Sequence, residues 1–512
     1  SSGPDITTNL GEARHIVSLK ATDANGYERR ETTSLVVADP SRLVAESNPV
    51  TVIGVADSGI NAYHSEFSAA AYPDPEILKL TRNFTAHPSE YIPGYPEDAL
   101  AIPITLGQGY YPPQDQAMWA GVEKGRLYWI PGTKIIGGWD TGTLGCANCA
   151  PDLHAILDDD GHGTGSASVA AGNRYGYCPT CLLFVVEALD EGLVNERNWA
   201  DISTNSFGAV GGVPAGLVDG PSESARTAVE RGQTVLFAAG NGVGNAFDVP
   251  QATWGQDSVG PDWVITVGAI RRDNHRAIVG DGIPAHISSW GDGNIPAACR
   301  TGTVGQCMHS GTSSATPSTA GVFGHVLTEV RRAIGDVKAG QKPGQVVALG
   351  HPIEQSAYLE DGKLTRAELR EVVLKTAMPL NQRNDVSPFP YPLTAPYLGE
   401  ANVLFEGYGA ATPESAERAI NVLLGKEPLP AREFEDSFFA LDRQIRDTLY
   451  GGYDRDGDGD RESEAIAGMT ITPTQVSTLQ GALATFQKVS ALTAPATTQL
   501  NGNTFMRYYL HR

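Results

Sequence analysis

Basic residues are scarce in this chain: 37 Lys and Arg stand against 59 Asp and Glu, a formal net charge of −22 over 512 residues. Binding along a phosphate backbone requires clustered positive charge, so nucleic acid is not an expected partner. Long apolar runs are missing as well. No uninterrupted stretch of about 18 apolar residues occurs, so no transmembrane helix and no membrane insertion are expected. The chain opens at "SSGPD", without a methionine or a signal-like apolar segment, which reads as a processed or trimmed form. Cysteine is sparse: Cys146, Cys149, Cys178, Cys181, Cys299 and Cys307 are the six. An even number in an acidic, lysine-poor chain favours disulfides and an oxidising compartment. The pairs "CANC" and "CPTC" keep a zinc knuckle open as the competing reading. Cys299 and Cys307 have no C-x-x-C character and suit a short loop-closing bridge.

Glycine and proline are plentiful, 58 and 33 residues, and hydrophobic residues make up 41% of the chain. That is the composition of a globular, loop-rich protein with ample length for a core, one large domain with smaller appendages. The surplus of carboxylates also leaves ligands free for divalent cations.

Continuous apolar runs recur at 49–56 ("PVTVIGVA"), 181–189 ("CLLFVVEAL"), 234–240 ("TVLFAAG") and 263–270 ("WVITVGAI"). They have the pattern of strands buried on both faces. Helical patterns alternate with them, at 163–172 and 222–232. The expected fold is therefore α/β, a parallel central sheet with helices on both faces and a ligand site beyond the carboxyl ends of the strands. Amphipathic helices are expected at 364–377 and 412–424, each with a good N-terminal signal. The region from about 75 to 150, rich in Pro, Tyr, Gly and Trp, has no clear period and reads as a large ordered insertion. Residues 14–38 alternate apolar and polar around a "DANG" turn, a hairpin signature. That hairpin resembles the last two strands of a PKD-type or related Ig-like domain.

Three segments carry chemistry-bearing residues at element ends: "VIGVADSG" presents Asp57, "DDDGHGTGSASVAAG" presents His162, and "HSGTSSATPSTAG" presents Ser313 in a run of small and hydroxyl side chains. A hydroxyl at a helix N-terminus faces free N–H groups and a dipole that favour a developing negative charge. Such a run can equally be a polar loop that lets a helix pack closely.

Together, and in the order Asp, His, Ser, these motifs resemble the subtilisin-like serine peptidases, the subtilases, over about 49–425. The resemblance implies that Ser313 is the nucleophile, His162 the general base and acid, and Asp57 the group that fixes the imidazole. "FAAGNG" makes Asn241 the oxyanion donor beside the Ser313 N–H. "STNSFGAVGG" makes Ser206, Phe207 and Gly208 the backbone that pairs with an extended substrate, and Ala238, Ala239 and Gly240 one wall of the specificity pocket. Pro317 fits the helix after Ser313, because its missing N–H would have bonded the Ser313 carbonyl.

Three histidines, His64, His154 and His309, read as non-catalytic. Gly165 stands where the family's "HGTH" has a second histidine. Gly242 after Asn241 points to an apolar or aromatic residue before the scissile bond. Asp158, Asp159 and Asp160 read either as an attraction for a basic substrate residue or as a solvated turn.

The implied organisation is an Ig/PKD-like remnant and linker at 1–45, a subtilisin-like domain at 46–430 and a C-terminal extension at 431–512. That extension opens with a helix at about 437–450 and a loop in which Asp454, Asp456, Asp458 and Asp460 alternate, with Gly459 at the sixth place of an EF-hand-like count and Glu464 one short of the twelfth. The loop departs from the standard EF-hand, yet it can gather several oxygens, and Ca2+ is the expected structural cofactor. Glu66 is a second, weaker calcium-ligand candidate from the resemblance.

The expected function is a secreted or cell-surface serine endopeptidase acting on protein or peptide substrates. The alternatives are a catalytically idle structural or adhesive module of the same fold, or a peptide ligase or cyclase using the same acyl-enzyme.

Overall fold

The computed structural model describes residues 13–22, 28–37, 50–92, 95–123, 126–140, 156–187, 199–207, 228–229, 232–241, 264–271, 285–291, 295–338, 356–359, 364–379, 407–433, 435–436 and 439–440. The acidic loop at 454–464, Gly208, His154, Cys146, Cys149 and most of the expected helices at 222–232 and 437–450 lie outside these residues.

Strands β1 (Ala13–Thr22) and β2 (Glu28–Val37) pair antiparallel, with Ala13 opposite Val37 and Thr22 opposite Glu28, the hairpin expected from the alternation. The main sheet is built on β3 (Val52–Asp57), buried at every residue, as a strand covered on both faces must be. Its parallel neighbours are β7 (Leu182–Glu187) and β8 (Ile202–Asn205). Beyond β8 the parallel run continues through β9 (Thr234–Ala238), β10 (Val264–Ile270) and β11 (Ile287–Trp290).

On the other side of β7 lie β6 (Ile135–Asp140), parallel to it, then β5 (Tyr128–Trp129) and β4 (Leu100–Ala101). The segment expected as an insertion thus extends the sheet by three strands. It is tied to the body by a buried polar cluster. Asp115 in helix α2 (Pro113–Trp119) accepts from Tyr63 Oη at 2.8 Å and Thr105 N at 2.8 Å, while Trp119 Nε1 donates to Tyr63 Oη. The short α1 (Pro75–Leu80) is capped by Asp74.

Because β7 and β8 flank β3 on opposite sides, the strand order reverses at β3, and the carboxyl ends of β3, β8 and β9 open onto one crevice. Two helices run to that crevice. The first, α3, spans His162–Ala171, and the second, α4, spans Thr312–Lys338 and packs on α3, β3 and β8 to β11. The later helices α5 (Arg366–Thr376) and α6 (Pro413–Leu423) begin with capping boxes from Thr365 and Thr412, and α6 packs on α4. No helix among the described residues is long and apolar enough to cross a membrane.

Cys178 is joined to Cys181, and Cys299 to Cys307. The first bond corrects the zinc-knuckle reading for "CPTC", since both thiolates a metal would need are consumed. The second closes the loop leading into β13 (Cys307–His309), which pairs antiparallel with β12 (Ile295–Ala297). Asn61 Nδ2 donates to the carbonyls of Cys299 and Gly302, docking that loop beside the end of β3.

Arg331 of α4 anchors the start of β3: its guanidinium donates to Val50 O, Thr51 Oγ1 and both oxygens of Asp201, and Asp201 also accepts from Val52 N. Removing one partner of a buried ion pair leaves the other charge without compensation. Arg331→Leu is therefore expected to lower stability by about 3–5 kcal/mol, read from denaturant unfolding. An unchanged midpoint would show that the pair holds nothing together.

Candidate active site

Asp57 ends β3 and is buried, with 1% of its surface exposed. A buried carboxylate must be hydrogen-bonded, and this one takes three donors. Its Oδ1 accepts from Ser58 N at 2.8 Å and lies 2.7 Å from His162 Nδ1, while Oδ2 accepts from Ser166 Oγ at 2.9 Å. His162 is the first residue of α3 and Ser166 lies one turn on, so both point at the strand end from the same helix face.

The approach of α3 is close. A Cβ at Gly163 would sit 2.2 Å from Gly59 O, so only glycine fits the second helical position. Ser58 Oγ accepts from Gly163 N and donates to Asp158. Asp158 is wholly buried and takes the N–H groups of Asp160, Gly161 and Thr164 together with the Thr164 hydroxyl. Neither reading of Asp158 from sequence holds: it is an internal cap for the start of α3, with no oxygen left for a substrate cation or for water.

The Asp57 contact decides the state of His162. Burial pushes the imidazole pKa down, but the Asp57 hydrogen bond and charge, with Asp160 and Asp158 behind them, carry it above its ordinary value. Its Nδ1–H is committed to Asp57, which leaves Nε2 on a ring whose side chain is 31% exposed.

Ser313 is the second residue of α4 and is buried to 8% exposure. Its Oγ lies 3.5 Å from Ser206 O, a long contact, and among the described residues it makes no hydrogen bond to His162. Catalytic hydrogen bonds are often loose before substrate binds. Three other hydroxyls of the motif have structural work: Thr316, Ser318 and Thr319 each donate to the carbonyl four residues back.

Asn241 is exposed, just past β9. Its Oδ1 accepts from Thr312 N and Thr312 Oγ1, both at 2.9 Å, which fixes the amide's orientation and leaves Nδ2 as the donating end. Ser206 is buried against Ser313, Phe207 stacks edge-on with Phe237 at 5.7 Å, and Ala238 and Ala239 are buried at the end of β9, followed by Gly240 at φ +100°. Asp57, His162, Ser313, Asn241, Ser206 and Phe207 are thus gathered at the carboxyl ends of β3, β8 and β9.

Other expected residues are elsewhere or otherwise engaged. Glu66 is buried, and its Oε2 accepts from Arg174 N and Tyr175 N, so that oxygen caps a loop and is not a free metal ligand. His64 is structural, its ring bonded to Gly305 O and Glu66 N. No cluster that could hold a metal ion occurs among the described residues. His309 is the residue the sequence reading missed. It flanks the Ser313 motif without matching the catalytic pattern, yet its ring lies 4.9 Å, edge to face, from that of His162.

A model of the subtilase family matches residues 49–394, and the chain belongs to that family. Curated relatives include the subtilisin-like serine protease Pen c 1 of Penicillium citrinum, 29% identical over 38% of this chain and 48% of that protein. Subtilisin-like protease 2 of Arthroderma otae is 26% identical over 37% of this chain and 46% of its own length. The chain thus spans about half the length of the curated relatives it matches. A solved structure on subtilase cytotoxin SubAB assembly is similar at a TM-score of 0.40 and 16% identity, covering 76% of this chain and 94% of that one.

The Asp57 contact raises the His162 pKa, so the imidazole stays protonated to a higher pH than a free histidine and becomes neutral only above that point. An NMR titration of the His162 ring should show a midpoint above the ordinary value, and Asp57→Asn should bring it down. A midpoint insensitive to that substitution would mean that Asp57 does not govern the ring.

Proposed function

We propose that this chain is a serine endopeptidase that hydrolyses peptide bonds of proteins through an acyl-enzyme on Ser313. The observation that carries the reading is the 2.7 Å bond between Asp57 and His162 beside a serine in the first turn of a helix. In the reaction, Ser313 Oγ attacks the scissile carbonyl carbon and its proton passes to His162 Nε2, while Asp57 holds Nδ1–H and stabilises the imidazolium. The oxyanion is met by the Ser313 N–H, in the helix's unpaired first turn, and by Asn241 Nδ2. The C–N bond then breaks as His162 returns the proton to the leaving amine. Water repeats the sequence on the acyl-enzyme and frees Ser313.

An extended substrate lies along Ser206, Phe207 and Gly208, with the residue before the scissile bond against Ala238, Ala239 and Gly240. The absence of a carboxylate at Gly242 favours an apolar or aromatic residue there. A secreted location is part of the proposal, supported by the two disulfides among the described residues.

Ser313→Ala is expected to abolish labelling by a fluorophosphonate, whereas Ser314→Ala keeps most of it. Labelling of Ser313→Ala at the parent's rate would refute the assignment. For Asn241→Ala a turnover loss of about 10² to 10³ is expected, the value known for subtilisin's own oxyanion asparagine, and a loss below about tenfold would count against that role.

Calcium at Asp454, Asp456, Asp458, Asp460 and Glu464 is proposed on the sequence pattern alone. Alternating carboxylates repel one another until a divalent ion fills the loop. An ion that binds only the folded chain stabilises it by about 2.7 kcal/mol at 100 times its dissociation constant. Calcium should therefore raise the melting temperature, and replacing Asp456 and Asp458 by Asn should diminish the rise. Melting indifferent to both calcium and chelator would leave the loop a solvated turn.

A further inference from the structure

Pro317 lies inside α4 and has no N–H to give to the carbonyl four residues back, which is that of Ser313. An orphaned carbonyl under the nucleophile needs other donors, and it has two. Ser206 Oγ donates at 3.2 Å, and His309 Nε2 lies at 3.0 Å. Because a carbonyl can only accept, the proton of the neutral His309 ring is on Nε2. The same Nε2 lies 3.2 Å from Ser166 Oγ. That hydroxyl's own hydrogen is given to Asp57 Oδ2, so towards His309 it accepts.

His309 thereby links two parts of the site that no backbone element connects. Its single Nε2–H, shared between two acceptors, holds the carbonyl of Ser313 and orients the Ser166 hydroxyl that donates to Asp57. The ring is 7% exposed; burial, with the nearby His162 charge, lowers its pKa to about 4, and the titratable groups facing it are His162 on α3 and Asp57 at the end of β3. It therefore stays an uncharged donor wherever His162 itself is neutral.

The space it fills is also informative. A Cβ built at Gly165 would lie 2.9 Å from His309 Nδ1, and Gly165 is the position at which the family's "HGTH" pattern carries its second histidine. A ring arriving from β13 has taken up room that a side chain at 165 of α3 would otherwise need.

We infer that His309 is a positioning residue of the proposed peptidase, holding Ser313 by its carbonyl and Asp57 through Ser166. The inference rests on the endopeptidase reading for its effect on rate, but its geometric part can be tested without activity. The test compares the parent with His309→Leu, which keeps bulk without a donor, and with His309→Gln, which keeps a side-chain N–H. Ser166→Ala cuts the same link without touching His309. Labelling rates by a fluorophosphonate are measured across pH, well below each variant's melting temperature, and the His162 ring is titrated by NMR.

His309→Leu is expected to be labelled about tenfold more slowly, the scale of one lost hydrogen bond. His309→Gln should stay within about threefold of the parent, the rescue that a donor role requires. In Ser166→Ala the His162 midpoint should rise, because Asp57 loses a donor and its charge falls more fully on the imidazolium, and in His309→Leu it should rise less, because the Ser166 hydroxyl still donates to Asp57 but no longer accepts the bond that strengthens it. Parent-like rate and midpoint in His309→Leu, or His309→Gln as slow as His309→Leu, overturns the inference. A parent that takes no label defeats the endopeptidase reading instead, and the His162 midpoints alone then decide whether the link exists. Should His309→Leu fail to fold, His309→Phe, which keeps a flat ring without a donor, takes its place on the same rate and midpoint, with the same outcomes supporting or overturning the link.

Discussion

The site is organised around one buried carboxylate. Asp57 stands at the end of a strand with both faces covered, where an ionised group is tolerable only if its lone pairs are satisfied. The three donors it takes come from its own chain neighbour and from two residues of α3. That requirement dictates how α3 begins. Gly163 is glycine because the helix must come down onto Gly59, and Ser58 and Asp158 consume the N–H groups that such a close approach would otherwise strand. Satisfying Asp57 and placing His162 are one and the same packing problem.

The second constraint comes from Pro317, which breaks the hydrogen-bond ladder of α4 beneath Ser313. The broken rung lets Ser206 from the end of β8 and His309 from β13 reach the backbone of Ser313. The disulfide between Cys299 and Cys307, with Asn61 holding its loop, in turn fixes the hairpin that delivers His309. A local irregularity in one helix is converted in this way into contacts between three elements distant in sequence.

How much of this could be read from residues alone follows from the range of the forces involved. The strands β3, β7, β9 and β10 were legible because burial on both faces leaves a continuous apolar run, and α5 and α6 because their caps are made within four residues. Asp57, His162, Ser313 and Asn241 were legible only as a constellation of motifs, which the structure gathers at the carboxyl ends of neighbouring strands. The β4 and β5 strands were not, since two residues carry no periodicity. The surroundings of Asp158, Glu66 and His309 were not legible, because part of each is a hydrogen bond to a partner remote in the chain, Ser58 for Asp158, Arg174 for Glu66 and Ser166 for His309, and such bonds leave no local pattern.

Two imidazoles 4.9 Å apart show what those remote partners do. His162 and His309 have the same chemistry and both are largely enclosed, yet their environments push them in opposite directions. A direct bond to Asp57 outweighs desolvation for His162 and raises its pKa. For His309 burial dominates and the His162 charge adds to it, while the charge of Asp57, with which it shares no bond, is too weak to offset them, so the pKa falls to about 4. Had both rings been basic, protonation of one would have opposed protonation of the other and weakened His162 as a proton acceptor. Separating the two titrations leaves His162 to titrate above its ordinary value, while His309, still neutral there, keeps its N–H as a fixed donor. The division depends on which ring touches the carboxylate, and the start of α3 makes that choice.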